Sequence, residues 1–548
     1  AITTTATSNI GLGANAVNSI TTGDYNVGLG DSSGTAITSG DRNTGIGVFS
    51  IDAINTGSSN TGLGYAAGGG ITTASNNTAV GSQALQLTTT GSNNTAIGTL
   101  ALLSNTTGAE NTAVGKDALD ANTTGTANVA IGLSSLGSNT TASDNIAIGV
   151  STMFTNTTGA SNVAVGKRAL KFNTTASNNT AIGHDALTAN TTGQVNVALG
   201  AYALDANTTA SSGVAIGYNA LTANTTGGAN IAIGKDSLEH NTTGTRNISI
   251  GYLALEANTT AANNIAIGAE AMNDNTTGAS NIAIGDSALD ANTTGSNNTG
   301  MGLHSLGANT TASYNTAVGV YSGDALTTGA GNTILGYGAL SSSVTGASNI
   351  AIGDSAMGTG VVTGDYNVAV GTSSLLVNTS GANNTAVGRD TLKANTTGAD
   401  NVAVGMSALT ANTTGTLNTA MGAYSLKTNT TGAENTAVGI QSLEANTTGT
   451  RSVAVGRQAL QAHTTGSENI GIGFQSGVSL TTGNYNTAVG GGALYSTTTA
   501  DSNTAIGKNA LRANTTAGNN TAVGNSAMIA NTTGANNCAF GLNALSVN

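Results

Sequence analysis

The feature that most constrains this chain is a period. The seventeen residues Asn111 to Ala127, NTAVGKDALDANTTGTA, recur from a first copy at Asn9 to a last at Asn537, about 32 times in all. The copy between Asn349 and Asn367 is one residue longer. A period sustained over a whole chain marks an array in which each unit packs mainly on its neighbours. Numbering each unit from its leading Asn separates strict columns from loose ones. Position 1 is Asn except at Gly213 and Ser452, position 4 is always apolar (Val114, Ile131, Leu199), and position 5 is always Gly, as at Gly115. Position 3 is Ala, Gly or Ser apart from Ile334, while positions 6, 7, 10, 16 and 17 vary freely and hold most of the charges. Strict columns are expected to point inward or make turns, and loose columns to face water.

Positions 2 to 4 run Thr/Val/Ile, then Ala/Gly, then Val/Ile/Leu. β-Branched residues at a period of two specify a short strand. The Gly that follows specifies a positive φ or a contact that leaves no room for a Cβ. A Gly in every copy costs too much helix propensity for a helical array. The expected fold is therefore all-β, a parallel β-solenoid or β-roll of about 32 seventeen-residue repeats forming one elongated domain over residues 1–548. At the ~4.8 Å spacing of paired strands, such a stack reaches on the order of 150 Å.

Residues 1–76 are variant repeats and 77–548 standard ones. The variants carry Gly at position 3 (Gly11, Gly28) and Ile at 12 (Ile20, Ile37); from Asn94 onward Leu at 9 and Asn at 12 take over, as at Leu119 and Asn122. Where position 9 lacks its large side chain, position 12 has one: Gly34 with Ile37, Gly68 with Ile71, Gly323 with Leu326, Gly477 with Leu480. Both columns are thus expected to fill one interior volume. The Asn at position 12 then forms a buried amide ladder, each side chain bonded to the copies above and below. The Asn at position 1 forms a second ladder at the other turn. Asn111, Val114, Gly115, Leu119 and Asn122 are the structural positions of the representative unit.

Aromatic residues make up 3% and charged residues 7%, with no Pro or Trp, which excludes a compact core built on aromatic burial. The regular apolar column at position 4 argues against disorder. A net charge of -12, thinly spread, lacks the footprint of a nucleic-acid interface. No run is long and apolar enough to span a membrane. The opening AITTTATSN has neither Met nor signal peptide and fits a processed or excised segment. Cys538, at position 2 of the last repeat, reads as a small core residue.

Asn-Thr-Thr matches a glycosylation acceptor at Asn105, Asn122 and Asn139, but an inward position 12 makes those amides structural. The Thr at positions 13 and 14 suggest an ice-binding face, of which only one rank on a strand faces out. No copy carries the Gly-Gly-x-Gly-x-Asp pattern of calcium-binding rolls, and Asp117, Asp185 and Asp236 sit in the loose column 7. His184, His240 and His304 read as surface or turn residues, and His463 stands in for the Asn of position 12. Catalysis needs convergent groups in a pocket, so no enzyme activity, cofactor or metal is expected.

The runs Asn-Val-Ala-Ile-Gly at 128–132, Asn-Ile-Ala-Ile-Gly at 145–149 and Asn-Val-Ala-Val-Gly at 162–166, each followed by two variable residues and a Ser, Thr or Ala, resemble the head repeat of trimeric autotransporter adhesins. Similar repeats occur in some phage tail fibres. The resemblance implies a left-handed parallel β-roll, three chains about one axis, binding to host surfaces or extracellular matrix, and a place outside the cell or on a virion. The adhesin repeats are usually shorter, and nothing here matches their coiled-coil stalk or membrane barrel.

The residues themselves point to a homotrimer or similar lateral association, because the strand at 2 to 4 has little polarity on either face. The alternative is a single-chain solenoid whose Ala/Gly face looks at water. Two functions follow: a structural and adhesive fibre with recognition at its tip or along columns 6, 7, 10 and 17, or a module for a repetitive ligand such as ice or glycan. The chain runs from position 10 of a coil at Ala1 to position 12 at Asn548. Head-to-tail filament growth is therefore expected of a complete protomer, and a fragment of a longer fibre is the alternative.

Overall fold

The structure, a computed structural model, describes residues 7–547. Each period builds one three-residue strand and a long turn, and the described residues include no helix. They fall into two compact units, divided between Thr277 and Gly278. The first holds β1 (Ile10–Leu12) to β16 (Ile265–Ile267), the second β17 (Ile282–Ile284) to β32 (Cys538–Phe540). Within the first, Thr112–Val114 pairs in parallel with Val129–Ile131, Ala113 opposite Ala130. Within the second, Val402–Val404 pairs likewise with Thr419–Met421. Register is therefore one repeat, and each unit is a parallel β-solenoid.

Strands account for three residues in seventeen, so the rest of the coil needs hydrogen-bond partners of its own. Neighbouring coils supply them. The Asp117 and Ala127 amides donate to the preceding coil at Thr99 O and Ala109 O, and the Leu119 amide donates to the following one at Ser135 O, each at 3.0 Å. These donors lie at positions 7, 17 and 9, and all three have left-handed φ: 57° at Asp117, 54° at Ala127 and 54° at Leu119. A left-handed non-glycine residue costs on the order of 1 kcal/mol or more and persists only where its surroundings fix it. Here a buried Leu and a cross-coil bond fix it. Gly115 combines both expected glycine constraints, φ +136° and a Cβ position 2.5 Å from Gly132 O.

The alternation of the strand corrects the expected facing. Position 3 points inward and positions 2 and 4 point out: Ala198 is 0% exposed, whereas Val197 and Leu199 are 37% and 44% exposed. Val114, expected in the core, is accordingly half-buried at the surface. The Ala/Gly face is thus the interior one, and it is the β-branched face that looks outward. The interior is narrow, filled by Ala at 3, Ala, Ser or Thr at 8 and Leu or Met at 9, as at Ala113, Ala118 and Leu119. Cys538, on the outward position 2, is exposed rather than in the core.

The exchange between positions 9 and 12 is real in the first unit: a Cβ on Gly34 would lie 2.9 Å from Ile37 Cδ1, and one on Gly68 3.0 Å from Ile71 Cδ1. It fails for the other two pairs. The space beside Gly323 is taken by Ile334 Cδ1 and that beside Gly477 by Leu460 Cδ2, both at 2.8 Å. Leu326 and Leu480 instead press on the position-15 glycines Gly329 and Gly483. In the longer repeat Val362 is buried, and the position-1 ladder continues past it, Asn367 N donating to Asn349 Oδ1 at 2.9 Å.

Candidate functional site

Both amide ladders exist. At position 12, Asn122 Nδ2 donates to Asn105 Oδ1 at 2.9 Å and to Gly125 O at 3.0 Å. At position 1, Asn111 N and Nδ2 donate to Asn94 Oδ1 at 3.0 and 3.1 Å, and Nδ2 also donates to Gly125 O at 2.9 Å. The two ladders share one carbonyl at position 15. They therefore clamp a single corner and do not occupy opposite turns. Gly213 and Ser452 keep the backbone half of the ladder, their N–H groups donating to Asn196 and Asn435 Oδ1 at 2.8 and 3.0 Å. Where Leu326 replaces the next amide, Asn309 Oδ1 is buried with no hydrogen-bond partner among the described residues.

His463 occupies the position-12 ladder as expected. Its Nδ1 lies 3.0 Å from Asn446 Oδ1 and its Nε2 3.0 Å from Asn469 Nδ2. The Asn469 amide donates to Nε2, so the ring is neutral with its proton on Nδ1. Burial pulls its pKa down to about 4. Asn122 and Asn139 are fully buried, which closes them to sugar in the folded chain. Thr123 and Thr124 lie in a bend, outside any strand; Thr124 is exposed, and the Thr123 hydroxyl donates to Thr140 O at 3.0 Å.

Two surfaces remain for function. The first is the strand face. Across β1 to β32 the outward positions 2 and 4 hold Thr, Val, Ile, Leu, Met and one Cys and Phe, with no charge and no amide at any of them. The second is the turn face made by positions 6, 7, 10 and 11, where the charges cluster. Column 7 does not simply face water: Asp185 and Asp236 are 5% and 8% exposed. Arg168 Nε donates to Asp185 Oδ1 at 2.7 Å, His184 Nδ1 lies 3.1 Å from Asp185 Oδ2, and Lys235 Nζ reaches Asp236 at 2.5 Å. At position 17, Arg451 sits between Glu434 at 3.4 Å and Glu468 at 3.6 Å.

Stacking also joins groups that are distant in sequence. Glu239, His240 and Glu256 place their ligand atoms within 4.8 Å of one another, an arrangement that no single repeat shows because Glu256 belongs to the following coil. Each carboxylate already faces an amide, Asn219 at 3.5 Å and Asn273 at 3.4 Å. Small residues open three hollows on this face. One, of about 430 Å³, is lined by Asp117, Asp120, Gly137 and Phe154; burial, then the Asp117 charge, raises the Asp120 pKa. A second, of about 310 Å³, lies among Phe49, Asp52, Tyr65 and Gly69, and burial raises Asp52. The third, of about 460 Å³, surrounds Gly491 and Gly492 and is basic.

Fold and surface together define a repetitive parallel β-solenoid protein. No helix among the described residues is long and apolar enough to cross a membrane. No protein-family model matches the chain, and no curated protein is similar to it in sequence.

Proposed function

We propose that the chain is a segment of an extracellular structural and adhesive fibre, on a cell or virion surface, and that copies associate side by side through their strand faces. The observation that carries this reading is the uncharged outward rank pair at positions 2 and 4, unbroken in all 32 strands. Charges commonly guard exposed strands, and this face has none; position 4 is apolar in every strand, while position 2 is Thr in 15 and Val, Ile or Cys in the rest, and contiguous apolar surface of several hundred Å² marks an interface. A strip about 10 Å wide advancing ~4.8 Å per coil presents on the order of 800 Å² over one unit's sixteen strands, the area of a standard interface per partner. Three copies is the number the adhesin-head resemblance favours. The role is mechanical, and no catalytic step is assigned to it.

Sedimentation tests the association. The full chain is expected near three times its 52.9 kDa, and Val114→Lys with Ile131→Lys and Ile148→Lys is expected to shift it to monomer while retaining its β circular dichroism. A wild-type chain that stays monomeric at micromolar concentration refutes the association.

A further inference from the structure

The basic hollow is a departure from the repeat. Gly491 and Gly492 stand at positions 6 and 7, and in no other unit are both Gly. The backbone does not demand them. Gly492 has φ +69°, but Gln475 and Asn509, at the same position in the adjoining coils, adopt 54° and 55° with full side chains. A Cβ on Gly491 would meet nothing nearer than Phe474 O at 3.8 Å, and one on Gly492 would meet the side-chain end of Asn509 at 2.7 Å. The first is an ordinary van der Waals distance, and the second is to the end of a flexible side chain. The pair therefore removes two side chains the fold would accept, and what it leaves is the space of about 460 Å³, within the size range of small-ligand sites.

The walls of that space have a definite chemistry. Phe474, 51% exposed, stands on one side, with Arg457 of the preceding coil 5.3 Å over its ring. Tyr495 stands within, and Arg512 of the following coil lies 4.8 Å over it. Arg512 Nη1 also donates to Asn509 Oδ1 at 2.8 Å, so its guanidinium is held in place. Lys508 completes the lining. On a chain of net charge -12, positions 6, 7, 10 and 11 from Arg457 to Ala530 carry Arg457, Lys508 and Arg512 and no carboxylate. Neither Lys508 nor Arg512 makes an ion pair among the described residues.

We propose that this hollow binds an acidic saccharide of one or two rings, bearing carboxylate or sulfate. Phe474, exposed beside the two glycines, offers the ring face that Arg457 leaves open to the C–H side of a pyranose, Tyr495 lines the hollow beneath Arg512, and Lys508 and Arg512 meet the anion, Arg512 with a planar fork suited to carboxylate or sulfate. A nucleic-acid strand would stack on the same rings, but it needs cations tracking along its backbone, and beyond these three the chain's charge repels it. The site is independent of lateral association, since it lies on the turn face and not on positions 2 and 4.

Calorimetry on the full chain with a sulfated uronate-containing disaccharide tests it. Saturable binding is expected, weakening as salt rises, with at least tenfold loss in Lys508→Ala/Arg512→Ala and in Gly491→Gln/Gly492→Gln, which refills the hollow: the second change copies Gln475 of the preceding coil, and the first enters open space. Absence of saturable binding, equal binding by uncharged maltose, or unchanged binding in the refilled variant overturns the site. Tighter binding of a thymidine hexanucleotide overturns the ligand class.

Discussion

His463 places a titratable ring inside a ladder built for amides, and its cost is calculable. The Asn469 amide already points an N–H at Nε2, 3.0 Å away, so protonation would set donor against donor in a buried site. Folding lowers the pKa from 6.5 to about 4; the unfolded chain therefore takes the proton first as pH falls. Stability is full above pH 6.5 and is lost between 6.5 and 4. Linkage gives about 2 kcal/mol of loss by pH 5 and about 3 kcal/mol once both states are charged. In a one-dimensional array that loss is local. Hydrogen exchange by mass spectrometry, corrected for intrinsic rates, should show roughly twentyfold lower protection at pH 5 than at pH 7 in peptides around His463. Peptides around Asn122 should not change. His463→Asn restores the amide and should abolish the difference. A variant with the same pH response as wild type refutes the reasoning, as does a wild-type response no larger at His463 than at Asn122.

Other perturbations discriminate the remaining elements. Gly115→Ala, with φ +136° and its Cβ 2.5 Å from Gly132 O, is expected to cost about 3 kcal/mol or more by local hydrogen exchange. Asn122→Ala, which strips the donor from Asn105 Oδ1 and one of two donors from Gly125 O, should cost about 2 kcal/mol; Asn122→Leu should cost less, because Leu326 and Leu480 are buried in the same column. Arg168→Ala, which uncovers the nearly buried Asp185, should destabilise its coils more than Arg451→Ala, whose partners Glu434 and Glu468 are themselves half-exposed. Thermal melting in low and high salt ranks the pair.

Period and column identity carried the strand, the glycine at position 5 and both ladders into view, because each depends on one residue type repeated in one place. The facing of position 4 did not follow. An apolar column reads as core, and only the observation that the interior is narrow enough for Ala113, Ala118 and Leu119 to fill it reassigns Val114 to the surface. Leu119 gives no sign of its left-handed backbone, since that conformation is sustained by cross-coil bonds and not by residue preference. The shared corner of Asn111 and Asn122 and the meeting of Glu239, His240 and Glu256 depend on how the coil bends between columns. Gly491 and Gly492 are unremarkable as residues in a chain with 78 glycines; the open space beside Gly491 and the left-handed Gln475 and Asn509 beside Gly492 are what make them informative.

The amide ladders also run one way. Asn122 donates to Asn105 and Asn139 to Asn122, while Asn128 donates to Asn111, so within a unit the amide dipoles of both columns add head to tail and reinforce one another. A coil consequently has two unlike sides, one offering amide hydrogens and the other amide oxygens. Each coil that leaves synthesis meets a row of waiting acceptors on the coil before it, and a coil laid down upside-down would set oxygen against oxygen in both columns at once. The asparagines thus give the solenoid an arrow, and with it a means of rejecting inverted stacking that the nearly uniform Thr, Val and Ile of its strands do not supply.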